Sequence, residues 1–160
     1  IPLRLVGSEM CIRDRAQGLQ APWALSGGLM GSFVFIGGSG ATLSLALAVL
    51  LFCRGRGLRV LALAALPISL LNVNEILLFG LPIILNLRLL VPFLAVPAIN
   101  LVVAVTVVQA GWVAPASMVL PLTAPVVFNA YVSTGGDMAA VVLQLALTAL
   151  GALILSLIHI

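Results

Sequence analysis

Ser69-Leu70-Leu71-Asn72-Val73-Asn74-Glu75-Ile76-Leu77-Leu78-Phe79-Gly80-Leu81-Pro82-Ile83-Ile84-Leu85-Asn86 is the stretch on which the fold turns. It sets one carboxylate, Glu75, and three carboxamides, Asn72, Asn74 and Asn86, in an otherwise apolar run. An ionisable residue at membrane depth is costly, and by default it marks a substrate or ion pathway. Pro67 just ahead of the stretch, with Gly80 and Pro82 inside it, interrupts any single straight helix, because proline lacks an amide donor and clashes with the preceding turn. Irregular backbone at membrane depth survives only where it lines a cavity or is buried in protein. Residues 58–86 therefore read as a re-entrant helix–loop–helix with Asn72, Asn74 and Glu75 at its tip.

The rest of the chain supplies the apolar surroundings. Hydrophobic residues make up 63% of its 160 positions and charged residues 7%, and the mean hydropathy is +1.33. A soluble domain is only about half apolar. Uncharged runs cover residues 16–53, 89–136 and 138–160, each long enough for a spanning helix of about 20 residues. Strands of an outer-membrane barrel would alternate apolar and polar side chains, and these runs do not. All seven basic residues are Arg, too scattered for a nucleic-acid patch. Cys11 and Cys53 form neither a metal spacing nor a disulfide framework. No metal or other cofactor is expected.

The two ends stand apart. Residues 5–15, LVGSEMCIRDR, resemble the translation of a sequencing-library adapter, and residues 155–160, LSLIHI, resemble the same adapter read on the opposite strand. Such scars are excluded from fold reasoning. Residues 1–15 and 155–160 are thus read as adapter, and 16–154 as a fragment of a longer protein.

Within that core, residues 29–53 form the first spanning candidate. It contains Phe35-Ile36-Gly37-Gly38-Ser39-Gly40-Ala41-Thr42. No lysine follows the glycines and both flanks are apolar, so close packing of small residues between helices is preferred to a phosphate loop, with a local break near a substrate as the variant. Arg54, Arg56 and Arg59 place the next loop in the cytoplasm by the positive-inside rule. Residues 89–110 form a second span, kinked by Pro92 and Pro97. Residues 111–136, broken by Pro115, Pro121 and Pro125 and carrying Thr123 and Asn129, read as a second hairpin entering from the opposite face. Paired broken segments point to a midplane transport site. Asp137 opens the last helix, residues 138–154, where an acidic residue suits the helix dipole. The expected fold class is an all-α integral membrane protein with about three transmembrane helices and two re-entrant helical hairpins.

The runs FVFIGGSGATLSLAL, NVNEILLFGLPIILN, and PLTAP followed by VSTGGD together resemble the membrane IIC component of lactose/cellobiose-type phosphotransferase-system permeases. The resemblance covers nearly all of residues 16–154 and is that of a C-terminal part of the transport unit, with a family histidine lying upstream. It implies a multi-pass protein of the bacterial plasma membrane that takes up a β-linked disaccharide or similar sugar. Uptake is coupled to phosphorylation by a phosphocysteine on the partner IIB, itself supplied by IIA. It also implies a homodimer at full length, and sugar contacts from Asn74 and Glu75. Two positions depart from the family: Ile76 stands where Pro is usual, and Leu122 where a sugar-stacking Trp is usual.

Sugar hydroxyls pair well with carboxylate and amide groups. The expected substrate-binding residues are accordingly Asn72, Asn74, Glu75, Thr123 and Asn129. Glu75 is the expected catalytic group, as acceptor or general base toward the reacting hydroxyl, in a phosphoryl transfer that depends mostly on positioning. The fragment alone is not expected to be catalytic. The competing class is an ion- or proton-coupled secondary transporter with Glu75 as proton carrier, built from the same kind of broken helices.

Overall fold

The computed structural model describes residues 27–81, 83, 87–121 and 123–159. The adapter-like residues 1–15, together with Leu122, Pro82 and Asn86, lie outside them. Regular structure among the described residues is helical throughout: α1 (Gly27–Leu29) runs into one π-helical turn (Met30–Val34), followed by α2 (Thr42–Phe52), α3 (Arg56–Ser69), α4 (Glu75–Gly80), α5 (Leu87–Gln109), α6 (Val126–Ser133) and α7 (Met138–His159).

The spine is the pair α5 and α7. Both are long and apolar enough to cross a membrane, over Leu90–Gln109 and Met138–Leu157. Only 28% and 44% of their apolar windows are buried; a core helix of a soluble protein would be mostly covered. Val91, Leu94 and Val102 on α5, and Val142, Leu145 and Leu153 on α7, are all exposed, as lipid-facing residues are. Val96 packs in one buried cluster with Ala152 and Leu155. Ala104 packs in another with Ala140 and Leu147. Low positions on one helix thus meet high positions on the other, so the two run antiparallel. Gly151 lets α2 and α5 approach α7: a Cβ there would lie 2.8 Å from Ser44 Oγ and 2.9 Å from a methyl of Val96. Pro92 and Pro97 both lie inside α5, which continues through them, as prolines in membrane helices can.

The first expected span, residues 29–53, is not one helix. It breaks over residues 35–41, between the π turn and α2. The physical reason is a run of left-handed backbone: φ is 82° at Gly37, 106° at Gly38, 78° at Gly40 and 53° at Ala41. Such values cost an L residue with a Cβ and cannot continue a right-handed helix. The glycines therefore serve a loop, the break given above as the variant, and at Gly38 and Gly40 they also let neighbouring segments approach closely.

Within its described residues, the hairpin expected over residues 58–86 is present as α3, a tip at residues 70–74, and α4. Pro67 falls in the last turn of α3 and does not end it. The arms close tightly, since a Cβ on Gly80 would lie 2.7 Å from Leu61 Cδ1. The second hairpin is helical only on its return arm, α6. Its incoming arm has no regular structure over residues 114–121. That arm is tied to the end of α6 by the Ser117 and Met118 amides, which donate to the Ser133 carbonyl at 2.8 and 3.3 Å. Pro115 and Pro121 remove helix donors there, which explains the missing helix. Asp137 does open α7: one carboxylate oxygen accepts the Ala139 amide at 2.9 Å, an N-cap bond, and the other accepts the Ala114 amide at 2.8 Å. The last helix runs to His159, past the expected boundary at residue 154.

Candidate functional site

The glycine loop, residues 35–41, lies against the tip of the first hairpin. Gly38 leaves no room for a side chain there: a Cβ would sit 2.7 Å from Asn74 Cβ and 2.9 Å from its Cγ. Glycine is thus required at this position both by φ and by space. On its other side, Gly40 packs against the end of the Phe93 ring of α5. The Thr42 hydroxyl donates back to the Gly37 carbonyl and closes the loop at the start of α2.

Two asparagines make the junction. Asn72 takes a left-handed conformation, φ 62°, which Asn tolerates better than other side chains. The turn aims its side-chain oxygen at the loop, where it accepts the Gly37 amide at 2.7 Å. The Asn74 side-chain amide donates to the Ser39 hydroxyl and lies 3.4 Å from the Ser39 carbonyl. From the other side, the Val126 amide at the start of α6 donates to the Leu70 carbonyl at 2.9 Å. Three interrupted segments therefore meet around residues 70–74.

Glu75 is the first residue of α4 and directly follows this junction. Its side chain is exposed, and it forms no ion pair or hydrogen bond among the described residues. Thr123 is also exposed, three positions before the Val126 amide that joins the junction. Glu75 thus adjoins Asn72 and Asn74 along the tip, and Thr123 lies in the segment that leads to Val126. The structure places Asn129 elsewhere. It is 4% exposed, and its side-chain oxygen accepts the Ser32 hydroxyl at 3.0 Å. The Asn129 amide nitrogen lies 3.4 Å from the Gly31 carbonyl. Ser32 is also 2.8 Å from the Ser133 hydroxyl, and its carbonyl accepts the Gln144 side chain at 2.7 Å. This buried set fastens the π turn to α6 and α7, immediately ahead of the glycine loop.

Sequence reasoning assigned no role to Ser39, Ser32 or Gln144, and counted Ser133 only among the polar residues of the second hairpin. The Gly-Gly-Ser-Gly run was a usable signal for the first; the others come from partners up to 112 residues apart. No three His, Cys, Asp or Glu side chains come together among the described residues.

The family described as "Phosphotransferase system, EIIC" matches residues 5–97. The chain belongs to that family. Among curated EIIC relatives, it is 34% identical over 114 residues to the cellobiose-specific EIIC component of Lactococcus lactis subsp. lactis (strain IL1403), a match covering 71% of this chain and 23% of that protein. It is 37% identical to the lichenan permease IIC component of Bacillus subtilis (strain 168), covering 70% of this chain and 25% of that one. It is 29% identical to the lactose-specific EIICB component of Lacticaseibacillus casei, covering 84% and 23%. The chain thus spans roughly a quarter of these relatives' length. The crystal structure of the IIC component from the N,N'-diacetylchitobiose-specific phosphotransferase system superimposes with a TM-score of 0.89 at 32% identity, over 98% of this chain and 37% of that one. The break at the glycine loop and the tip at residues 70–74 are therefore parts of an EIIC fold.

Proposed function

We propose that this chain forms part of a sugar permease of the bacterial plasma membrane, and that the junction of the glycine loop with the two hairpin tips is one wall of its sugar site. The observation that carries the reading is the exposed Glu75 carboxylate beside Asn72 and Asn74, where three interrupted segments meet. An exposed carboxylate with no partner among the described residues can accept two sugar hydroxyls, and charge-assisted hydrogen bonds of this kind are the strong ones. Thr123 adds a hydroxyl from the second hairpin. Asn129, buried in its own network, supports the wall and is assigned no sugar contact.

The substrate class is a β-linked disaccharide or a related sugar, in keeping with relatives named for cellobiose and lactose. Glu75 would accept the hydrogen bond of the hydroxyl that attacks phosphorus. In such a transfer the protein chiefly positions nucleophile and phosphoryl donor in line. The donor is the phosphorylated IIB partner, which some relatives carry on the same chain, as the name EIICB states. IIA recharges IIB.

The test uses the full-length permease in sealed vesicles. Radiolabelled disaccharide should accumulate as its phosphate only when phosphorylated IIB is present, with no response to collapsing the proton gradient. Accumulation of unmodified sugar driven by that gradient, without IIB, would establish the proton-coupled class instead.

A further inference from the structure

We propose that Asn72 is a positioning residue: it acts on the sugar wall by holding the glycine loop, and it does not itself touch sugar. The inference deepens the reading above and rests on it for its consequence in transport, though the clasp itself is independent of any sugar.

The argument starts from the loop. Three glycines and Ala41 hold left-handed backbone within five positions, so residues 35–41 have no helical ladder to satisfy their amides. A part-buried amide without a partner costs free energy and destabilises whatever conformation leaves it so. The Gly37 amide has one acceptor, Asn72 Oδ1 at 2.7 Å, reaching across 35 positions of sequence. Asn72 is fitted to this task twice. Its φ of 62° favours Asn or Gly, and only Asn adds a carbonyl oxygen on a short stem. Once that oxygen is committed to Gly37, the neighbouring Asn74 can bond Ser39 across a gap that only Gly38 leaves open. The Ser39 hydroxyl is thereby held beside Asn74, the residue that precedes Glu75. Asn72 sets the position of Ser39 and of the loop face, while Glu75 carries the chemistry.

Two variants separate the backbone role from the side-chain role. Asn72→Gly keeps the left-handed turn and removes the oxygen; Asn72→Asp keeps an acceptor. The readout is amide hydrogen exchange in the full-length permease without sugar, followed in the peptide that covers residues 35–41. Losing one neutral hydrogen bond should speed exchange there roughly fivefold in Asn72→Gly, with little change in Asn72→Asp. Uptake should fall in Asn72→Gly and recover in Asn72→Asp. Unchanged exchange with lost uptake would mean direct sugar contact and would overturn the proposal. Unchanged exchange with normal uptake would make Asn72 a turn residue only, with the same consequence. If Asn72→Gly does not fold, Asn72→Ser, whose side chain is too short to span to Gly37, takes its place with the same two outcomes. Faster loop exchange in Asn72→Gly, together with normal uptake in a Glu75→Gln permease, would leave the clasp standing and remove the sugar assignment.

Discussion

Replacing Gly38 by Ala should undock the glycine loop without unfolding the protein. The backbone at Gly38 has φ 106°, a left-handed value that costs an alanine about 1–2 kcal/mol. The new Cβ would lie 2.7 Å from Asn74 Cβ, a contact no real pair of carbons keeps. Relieving such an overlap costs about 1–3 kcal/mol. The sum is about 2–5 kcal/mol, and each 1.36 kcal/mol shifts an equilibrium tenfold. That displaces the loop in most molecules yet stays below the 5–15 kcal/mol that typically separates folded from unfolded domains. The full-length Gly38→Ala permease should therefore insert and purify normally, show faster amide exchange over residues 35–41, and lose most of its uptake. Gly57→Ala is the control, because a Cβ there meets nothing within 4 Å and alanine favours the helix by about 0.5–1 kcal/mol. Parental uptake and exchange in Gly38→Ala would refute the close approach of loop and hairpin on which the site is built.

Gly151→Leu should lower the thermal midpoint, by about 1–3 kcal/mol of stability or more, since even a Cβ there crowds Ser44 and Val96; an unchanged midpoint in a melting assay would contradict the α2–α5–α7 packing. Single cysteines placed at Arg56 and Gly111 in the full-length permease should react with an impermeant thiol reagent from the inside and the outside respectively, as retention of Arg on the cytoplasmic face requires. Outside labelling of position 56 would invert the topology.

The first hairpin was legible because its polar tip and its glycine and proline are unusual in an apolar chain, and such residues carry direct conformational meaning. The long helices α5 and α7 were legible as uncharged apolar runs, and Asp137 as the residue that opens α7. The break in the first span was not, because Gly37-Gly38-Ser39-Gly40 serves packing or a loop equally well until its φ angles are known. The choice depends on Asn72 and Asn74, 35 positions away, and no local pattern encodes that pairing. Asn129 shows the same limit: its residue type announces a hydrogen bond, but only the fold reveals that the partner is Ser32, 97 positions earlier, in the protein interior. For the second hairpin the prolines marked interruption correctly, yet could not tell a helical incoming arm from one held by the Ser133 carbonyl.

The central claim is that Glu75 meets the sugar. Its most direct test is Glu75→Gln in the full-length permease, with sugar binding and IIB-dependent phosphorylation measured on the same preparation. Gln keeps the shape but offers one neutral acceptor in place of two anionic ones. With Glu75 exposed and without an ion pair among the described residues, folding and insertion should be unaffected. The account predicts binding weaker by about tenfold and a still larger loss of phosphorylation. Parental binding and parental phosphorylation in Glu75→Gln would contradict it.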